Sequence, residues 1–300
     1  MTSPAMWISF LPAPARIVAV AEESPDTRSF VVELDGGAAW PAPLPGQFVM
    51  LSIAGEGEAA FTVSSWAPPG SPIRQLCLTI RRVGRLTGAL FRLGPGSTVG
   101  LRGPYGRGFP EWPATASLLF VAGGCGLAPL RAAIEARLAQ RAAAAPLAIV
   151  YGAREPASRI LLRDLERWRT LPGVTLLEPV EHADSGWTGR LGTVVGATDD
   201  ALAAGTPDFV ALCGPPRMLA AVARHVRAAG VPAARVCAAV ERQMKCAVGL
   251  CGRCWIGHRY ACTEGPVFSL DELAVLDPAP FAEPQRSRPA APTATTGGSR

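Results

Sequence analysis

The sequence predicts a multidomain α+β protein: an antiparallel β-barrel, then an α/β domain on a parallel sheet, then a small cysteine-bearing C-terminal segment. Three observations predict it. Short apolar runs punctuated by Gly and Pro fill residues 15–103. Strand-like and helix-like runs then alternate to about Ala239. Four of the eight cysteines fall between Cys246 and Cys262. The implied boundaries are an N-terminal extension at 1–14, the barrel at 15–112, the α/β domain at 113–239, the cysteine segment at 240–276 and a tail at 277–300. A length of 300 residues suits two or three such units.

In the barrel the candidate strands are Arg16–Val20, Ser29–Leu34, Gln47–Ile53, Ala60–Ser64, Gln75–Val83 and Thr98–Arg102. Turn residues separate them: Asp35-Gly36-Gly37, Pro45-Gly46, Pro68-Pro69-Gly70 and Gly94-Pro95-Gly96. A helical turn is expected at Gly88–Arg92. In the α/β domain, Ser117–Ala122 reads as a fully buried strand. Leu127, Leu130, Ile134 and Leu138 then share one helix face. A strand (Leu147–Tyr151), a helix (Ala157–Thr170) and a strand (Val174–Leu177) follow. After a looser stretch come a strand (Phe209–Cys213), a helix (Pro216–Ala229) and a short strand (Arg235–Ala239). Such alternation implies a parallel sheet covered on both faces. The tail is rich in Pro, Ala, Ser, Thr and Gly, a composition that predicts disorder.

Composition limits the function classes. Apolar residues make up 49% and charged residues 18%, enough for sizeable cores. The net charge of +5 is carried by arginines interleaved with acids, and Lys245 is the sole lysine. No basic stripe with aromatic spacing is present, which argues against nucleic-acid binding. No unbroken apolar run is long enough to span a bilayer, and no basic segment precedes an export-type apolar stretch, so a cytoplasmic protein is expected.

The clustered cysteines follow C-x4-C-x2-C-x7-C: Cys246, Cys251, Cys254 and Cys262. The first three match the plant-type [2Fe–2S] run. Four thiolates must converge on a compact cluster, and Gly249 and Gly252 let the backbone fold tightly between them. Zinc also takes four thiolates, and one C-x2-C pair is present, so a zinc knuckle is the alternative.

Two glycine turns follow strands of the α/β domain. Gly123-Gly124-Cys125-Gly126 links a buried strand to a helix, which brings bare N–H groups and a helix start to one spot and suits a pyrophosphate. Cys213-Gly214-Pro215-Pro216 ends a later strand of the same sheet, so both turns face one crevice. In the barrel, Phe61-Thr62-Val63-Ser64 ends one strand, and Arg81-Arg82-Val83-Gly84-Arg85-Leu86-Thr87 leads into the helical turn. Hydroxyls, amides and arginines of this kind suit an anionic, aromatic cofactor.

Together these residues resemble the ferredoxin–NADP reductase superfamily, over roughly Ala15–Leu276. Phe61-Thr62-Val63-Ser64 stands where the R-x-Y-[ST] motif falls, followed by Gly84-Arg85-Leu86-Thr87 and Gly103-Pro104-Tyr105-Gly106. The nucleotide-binding motifs come next, Tyr151-Gly152-Ala153-Arg154 among them. The cysteine segment, with Glu241-Arg242-Gln243-Met244-Lys245-Cys246 and Cys262-Thr263-Glu264-Gly265-Pro266, is most similar to the gamma (diaphorase-type) subunit of soluble nickel–iron hydrogenases and sulfhydrogenases. It is also similar to the electron-transfer subunit of dihydroorotate dehydrogenase. The resemblance implies FAD held by Phe61, Thr62, Val63, Ser64, Ile80, Arg81, Arg82, Leu86 and Thr87. It implies NAD(P)H at Gly123, Gly124, Gly126, Arg154, Cys213, Gly214 and Pro215, with Cys213 and Gly214 flanking the nicotinamide. Arg154 and Arg159 are the residues placed to read a 2′-phosphate. The cluster cysteines would pass electrons to a catalytic partner, expected to be a hydrogenase with a further iron–sulfur subunit. One feature departs from the pattern: Ala59 replaces the motif's Arg, leaving Arg81 or Arg82 to neutralise the flavin phosphates.

Overall fold

The computed structural model describes residues 10–35 and 40–277. Most of the N-terminal extension, part of the Asp35-Gly36-Gly37 turn and all but Asp277 of the tail lie outside them. The first unit contains β1 (Ala13–Ser24), β2 (Thr27–Leu34), β3 (Trp40–Pro41), β4 (Phe48–Ile53), β5 (Gly57–Thr62), β6 (Pro72–Ile73), β7 (Gln75–Arg81) and β8 (Thr98–Tyr105). Six of these form an antiparallel sheet in the order β5-β4-β8-β1-β2-β7. The sheet closes just past β5. The Ser64 N–H donates to the Cys77 carbonyl at 2.9 Å, and the Cys77 N–H donates to Ser65 Oγ at 3.0 Å. Alternating residues fill the interior, among them Ile17, Phe30, Val32, Val49, Leu51, Leu78 and Leu101. Helix α1 (Arg85–Leu90) starts three residues before the expected turn, because Thr87 Oγ1 accepts from the Val83 and Gly84 N–H groups, both at 2.9 Å.

The second unit carries β9 (Leu118–Gly123), α2 (Leu127–Gln140), β10 (Leu147–Gly152), α3 (Leu162–Arg169), β11 (Val174–Leu177), α4 (Val194–Ala204), β12 (Phe209–Cys213), α5 (Pro216–Ala228) and β13 (Val236–Ala239). Every residue of β9 is buried, as an unbroken apolar run in a central parallel strand requires. Helix α3 begins at Leu162 rather than Ala157. Pro156–Ser158 forms a single tight turn, and Leu161, at φ 56°, interrupts the path. Helix α4 falls in the stretch that read as irregular. Gly196, Thr198, Asp199 and Asp200 weaken its apolar period, but Thr193 caps it through the Gly196 N–H.

The cysteine segment adds a short hairpin, β14 (Trp255–Ile256) with β15 (Arg259–Tyr260), then α6 (Ala261–Glu264), β16 (Val267–Ser269) and α7 (Leu270–Leu276). Strand β16 runs antiparallel beside β13, so the second sheet reads β11-β10-β9-β12-β13-β16. The segment also packs on the barrel. Phe48, Met50 and Tyr105, on the barrel's outer face, share one core with Met244, Ala247, Cys254, Ile256, Cys262 and Phe268. This is why Phe48–Leu51 is buried on both faces. No helix among the described residues is long and apolar enough to cross a membrane.

Candidate functional site: a cleft beside a cysteine loop

Strand β9 lies between β10 and β12, so the sheet's order reverses there. A crevice opens at the carboxyl ends of β9 and β12. The two glycine turns meet in it. A side chain at Gly126 would place its Cβ 2.4 Å from the Cys213 carbonyl oxygen, so only Gly allows this approach. Gly124, at φ +54°, has open space beside it and presents bare backbone to the crevice. A dinucleotide's pyrophosphate fits such a cradle.

Facing it is a cleft of about 280 Å³. The barrel contributes Phe48, Phe61, Thr62 and Thr79, the α/β domain Cys125, Pro129 and Cys213, and the C-terminal segment Val240, Glu241, Arg242, Met244 and Pro266. Burial, with Glu241 nearby, pushes the Cys125 thiol up to about 11, and burial drives the Cys213 thiol higher still. Both are therefore neutral, poorly nucleophilic thiols at physiological pH. The cleft is lined by both apolar and polar side chains.

Of the barrel residues expected to hold a flavin, Phe61 and Thr62 line the cleft. Val63 and Ile80 point into the barrel core, each 1% exposed. The Ser64 hydroxyl is spent on the Cys77 carbonyl at 3.0 Å and on Thr79 Oγ1 at 3.1 Å. The Thr87 hydroxyl is spent on capping, and Leu86 beside it is half-buried. Arg81 Nε is paired with Asp26 at 2.6 Å, whereas the Arg82 guanidinium lies over the Phe91 ring, 5.7 Å from its centroid. In the α/β domain Arg154 and Pro215 are exposed, while Arg159 is bound to Glu178 and stacked on Trp187.

The cysteine loop starts two residues after Met244. Ala247, Gly249 and Gly252 take positive φ, which folds the chain around Cys246. Its sulfur accepts from the N–H groups of Val248 at 3.5 Å, Leu250 at 3.3 Å and Cys251 at 3.4 Å. Burial alone would raise this thiol, but those amides and the neighbouring Cys251 thiol outweigh it and hold it at about 6. The Cys262 sulfur accepts from the Gly249 N–H at 3.3 Å and lies against Cys254. Burial and that neighbour push Cys262 up to about 12. The sulfurs thus associate in two pairs, Cys246 with Cys251 and Cys254 with Cys262. Thiols with backbone amides aimed at the sulfurs are donors of the kind an iron–sulfur centre takes, although among the described residues no three metal-ligating side chains are grouped closely enough to hold an ion. Cys251 and Leu250 are exposed, so one edge of the loop reaches the surface.

Three family models match in the order of these units. An oxidoreductase FAD-binding domain matches residues 14–109, an oxidoreductase NAD-binding domain residues 120–224, and the iron–sulfur cluster binding domain of dihydroorotate dehydrogenase B residues 241–274. Sulfhydrogenase 1 subunit gamma from Pyrococcus furiosus is 36% identical over 238 residues, covering 76% of this chain and 80% of its own. The chain belongs to the ferredoxin reductase-like FAD/NAD-binding superfamily. Within it, a probable dihydroorotate dehydrogenase B (NAD(+)) electron transfer subunit from Methanopyrus kandleri is 34% identical over 89% of this chain and 93% of that one. The solved structure of an NADH-dependent reduced ferredoxin-NADP oxidoreductase shares the fold at a TM-score of 0.69, with 24% identity, 90% of this chain and 93% of that chain covered. The chain is of the oxidoreductase family, with FAD-binding, NAD-binding and iron–sulfur binding domains.

For a member of this superfamily, several residues at the site carry no motif. Arg131 on α2 reaches across the domains, donating from Nη1 to the Ser64 carbonyl at 3.1 Å while Nε binds Asp164 at 2.8 Å. Its one sequence signal is a charge inside an apolar helix. Arg102 and Glu58 form an ion pair between barrel strands β8 and β5. Val240, Glu241, Arg242 and Met244, which line the cleft, carry no signal beyond their resemblance to the subfamily's sequence.

Proposed function

We propose that this chain is the nicotinamide-facing subunit of a redox complex, moving electrons between NAD(P)H and a partner through FAD and one [2Fe–2S] cluster. The observation that carries it is the continuity of the C-terminal segment: Met244 lines the cleft, and Cys246 opens the cysteine loop two residues later. A donor pocket and an electron exit are joined by the shortest of links. Flavin, when bound, would supply the conversion between the two-electron chemistry of a hydride and one-electron transfer.

The protein's part is placement. Gly124 and Gly126 present backbone to the nucleotide's phosphates. Cys213 and Gly214 close the nicotinamide end of the crevice with a neutral thiol, which adds no charge of its own there. Phe61 and Thr62 edge the flavin ring, and Arg82 neutralises its phosphates. Arg154, exposed and without an ion-pair partner among the described residues, is placed to meet a 2′-phosphate. Cys246, Cys251, Cys254 and Cys262 hold the cluster. The partner we favour is a soluble nickel–iron hydrogenase, on the likeness to the sulfhydrogenase subunit. The match of residues 241–274 favours a second reading, a dihydroorotate dehydrogenase complex, and the co-purifying subunit decides between them.

The test is anaerobic purification followed by a spectrum and an iron assay. Flavin bands together with thiolate–iron absorption that bleaches on adding NADH or NADPH are expected, with two irons per chain. Stoichiometric zinc without iron sinks the cluster assignment. Cys251→Ser is expected to abolish the thiolate–iron absorption while the flavin bands persist and still bleach.

A further inference from the structure

Arg102 is 7% exposed and lies between the barrel and the cysteine loop. Its guanidinium makes five contacts. Nε and Nη2 grip Glu58 at 2.7 and 2.5 Å. Nη1 donates to the Cys246 carbonyl at 2.8 Å and meets the Tyr105 hydroxyl at 3.5 Å, and Nη2 donates to the Lys245 carbonyl at 2.9 Å. The two carbonyls belong to the peptide groups on either side of the Cys246 Cα. Because peptide groups are planar, fixing both sets the direction of the Cys246 Cα–Cβ bond, from which its sulfur is carried. Glu58 lies on β5, three residues before Phe61.

We infer that Arg102 is the positioning residue that locks the first cluster cysteine to the flavin-facing strand, with Glu58 balancing its charge. The inference rests on the flavin and cluster reading above. The planar fork matters, since a lysine ammonium cannot span a carboxylate and two carbonyls at fixed angles. The charge matters too. A buried cation beside the loop stabilises the more negative, reduced cluster, and the Glu58 carboxylate offsets it. Removing either partner therefore moves the cluster potential in opposite directions, which a purely structural brace does not do.

The experiment uses the full chain, purified anaerobically, with three substitutions: Glu58→Gln, Arg102→Gln and Arg102→Lys. Two readouts are taken. One is the cluster midpoint potential from a redox titration followed by electron paramagnetic resonance. The other is backbone amide exchange at Val248, Leu250 and Cys251. Glu58→Gln leaves the cation uncompensated, so the potential is expected to rise. Arg102→Gln leaves the carboxylate uncompensated, so the potential is expected to fall, with exchange in the loop faster by about tenfold or more. Arg102→Lys is expected to keep the charge but lose the fork, giving faster exchange. Should Arg102→Gln fail to fold, the two gentler variants still decide. An unmoved potential in Glu58→Gln, with wild-type exchange in Arg102→Lys, overturns the inference. A wild-type chain lacking iron or flavin overturns the underlying reading instead, before any variant is made.

Discussion

Arg81 and Arg82 are neighbours with different duties. Arg81 is tied to Asp26, a residue 55 positions earlier in the chain. Arg82 has an aromatic ring beneath it and no carboxylate partner among the described residues, which leaves its guanidinium available to an anion. Arg82→Ala is expected to weaken FAD retention by about tenfold, the worth of one charged hydrogen bond. Equilibrium dialysis with flavin fluorescence measures it. A variant that holds FAD like the wild type, while Arg81→Ala loses it, would reverse the assignment. The motif pointed to the pair but could not choose within it, because the choice depends on a long-range ion pair. The same holds for Val63, Ser64 and Ile80. Their positions in the motif were readable, but period-2 alternation turns Val63 and Ile80 into the barrel, and barrel closure claims the Ser64 hydroxyl. The cysteine spacing was readable for the opposite reason: C-x4-C-x2-C is a local constraint, and the loop's positive-φ residues fall inside it.

At the scale of elements, regular strands and amphipathic helices carried their own signals, and the short pieces did not. Val267–Ser269 is three residues long and becomes a strand only because β13 offers it an edge. Helix α7 then starts on Ser269, whose N–H and hydroxyl both bind Glu272, at 2.9 and 3.0 Å. Glu272 also holds Arg107 of the barrel and Arg259 of the hairpin, each at 2.6 Å, so one carboxylate joins three elements. Burial alone would raise its pKa, but Arg107, the Ser269 amide and Arg259 outweigh it and hold it at about 2, against the usual 4.5. A depressed carboxyl stabilises the fold above its unfolded pKa and loses that contribution as pH falls through the folded one. The window is therefore about pH 4.5 down to 2. Glu272→Gln is expected to cost on the order of 1 kcal/mol near neutral pH, after allowing for solvent screening. The gap to the wild type should close across that window in denaturant melts at stepped pH. A gap that does not change with pH would show that the shape of Glu272 matters and its charge does not.

At the scale of the molecule, the flavin-side barrel, the nucleotide sheet and the cysteine segment pack into one continuous interface. Hydrophobic period reports which face of an element is buried but not against what. The sequence reading therefore located the units and their order, but left the seam between them blank. Polar ties between the barrel and the α/β domain at wide sequence separation include the Leu161 N–H donating to Glu23 Oε2 at 2.8 Å and Arg131 donating to the Ser64 carbonyl. Arg131 sits on α2, four residues after Leu127 at the start of that helix, and so reads the orientation of the glycine cradle relative to the barrel. Arg131→Met keeps the apolar stem and removes the guanidinium. Asp164 still has Arg167 at 3.4 Å, so no carboxylate is stranded. The variant is therefore expected to fold with wild-type flavin and iron content, while the cradle is held less firmly over the cleft. Hydride transfer needs the nicotinamide and the flavin in register, and a misplacement of about 1 Å costs about a hundredfold. Stopped-flow flavin bleaching by NADH is expected to slow by about tenfold to a hundredfold. A rate equal to the wild type would mean that apolar packing alone sets the angle between the domains, and that the Arg131 bridge contributes nothing to catalysis.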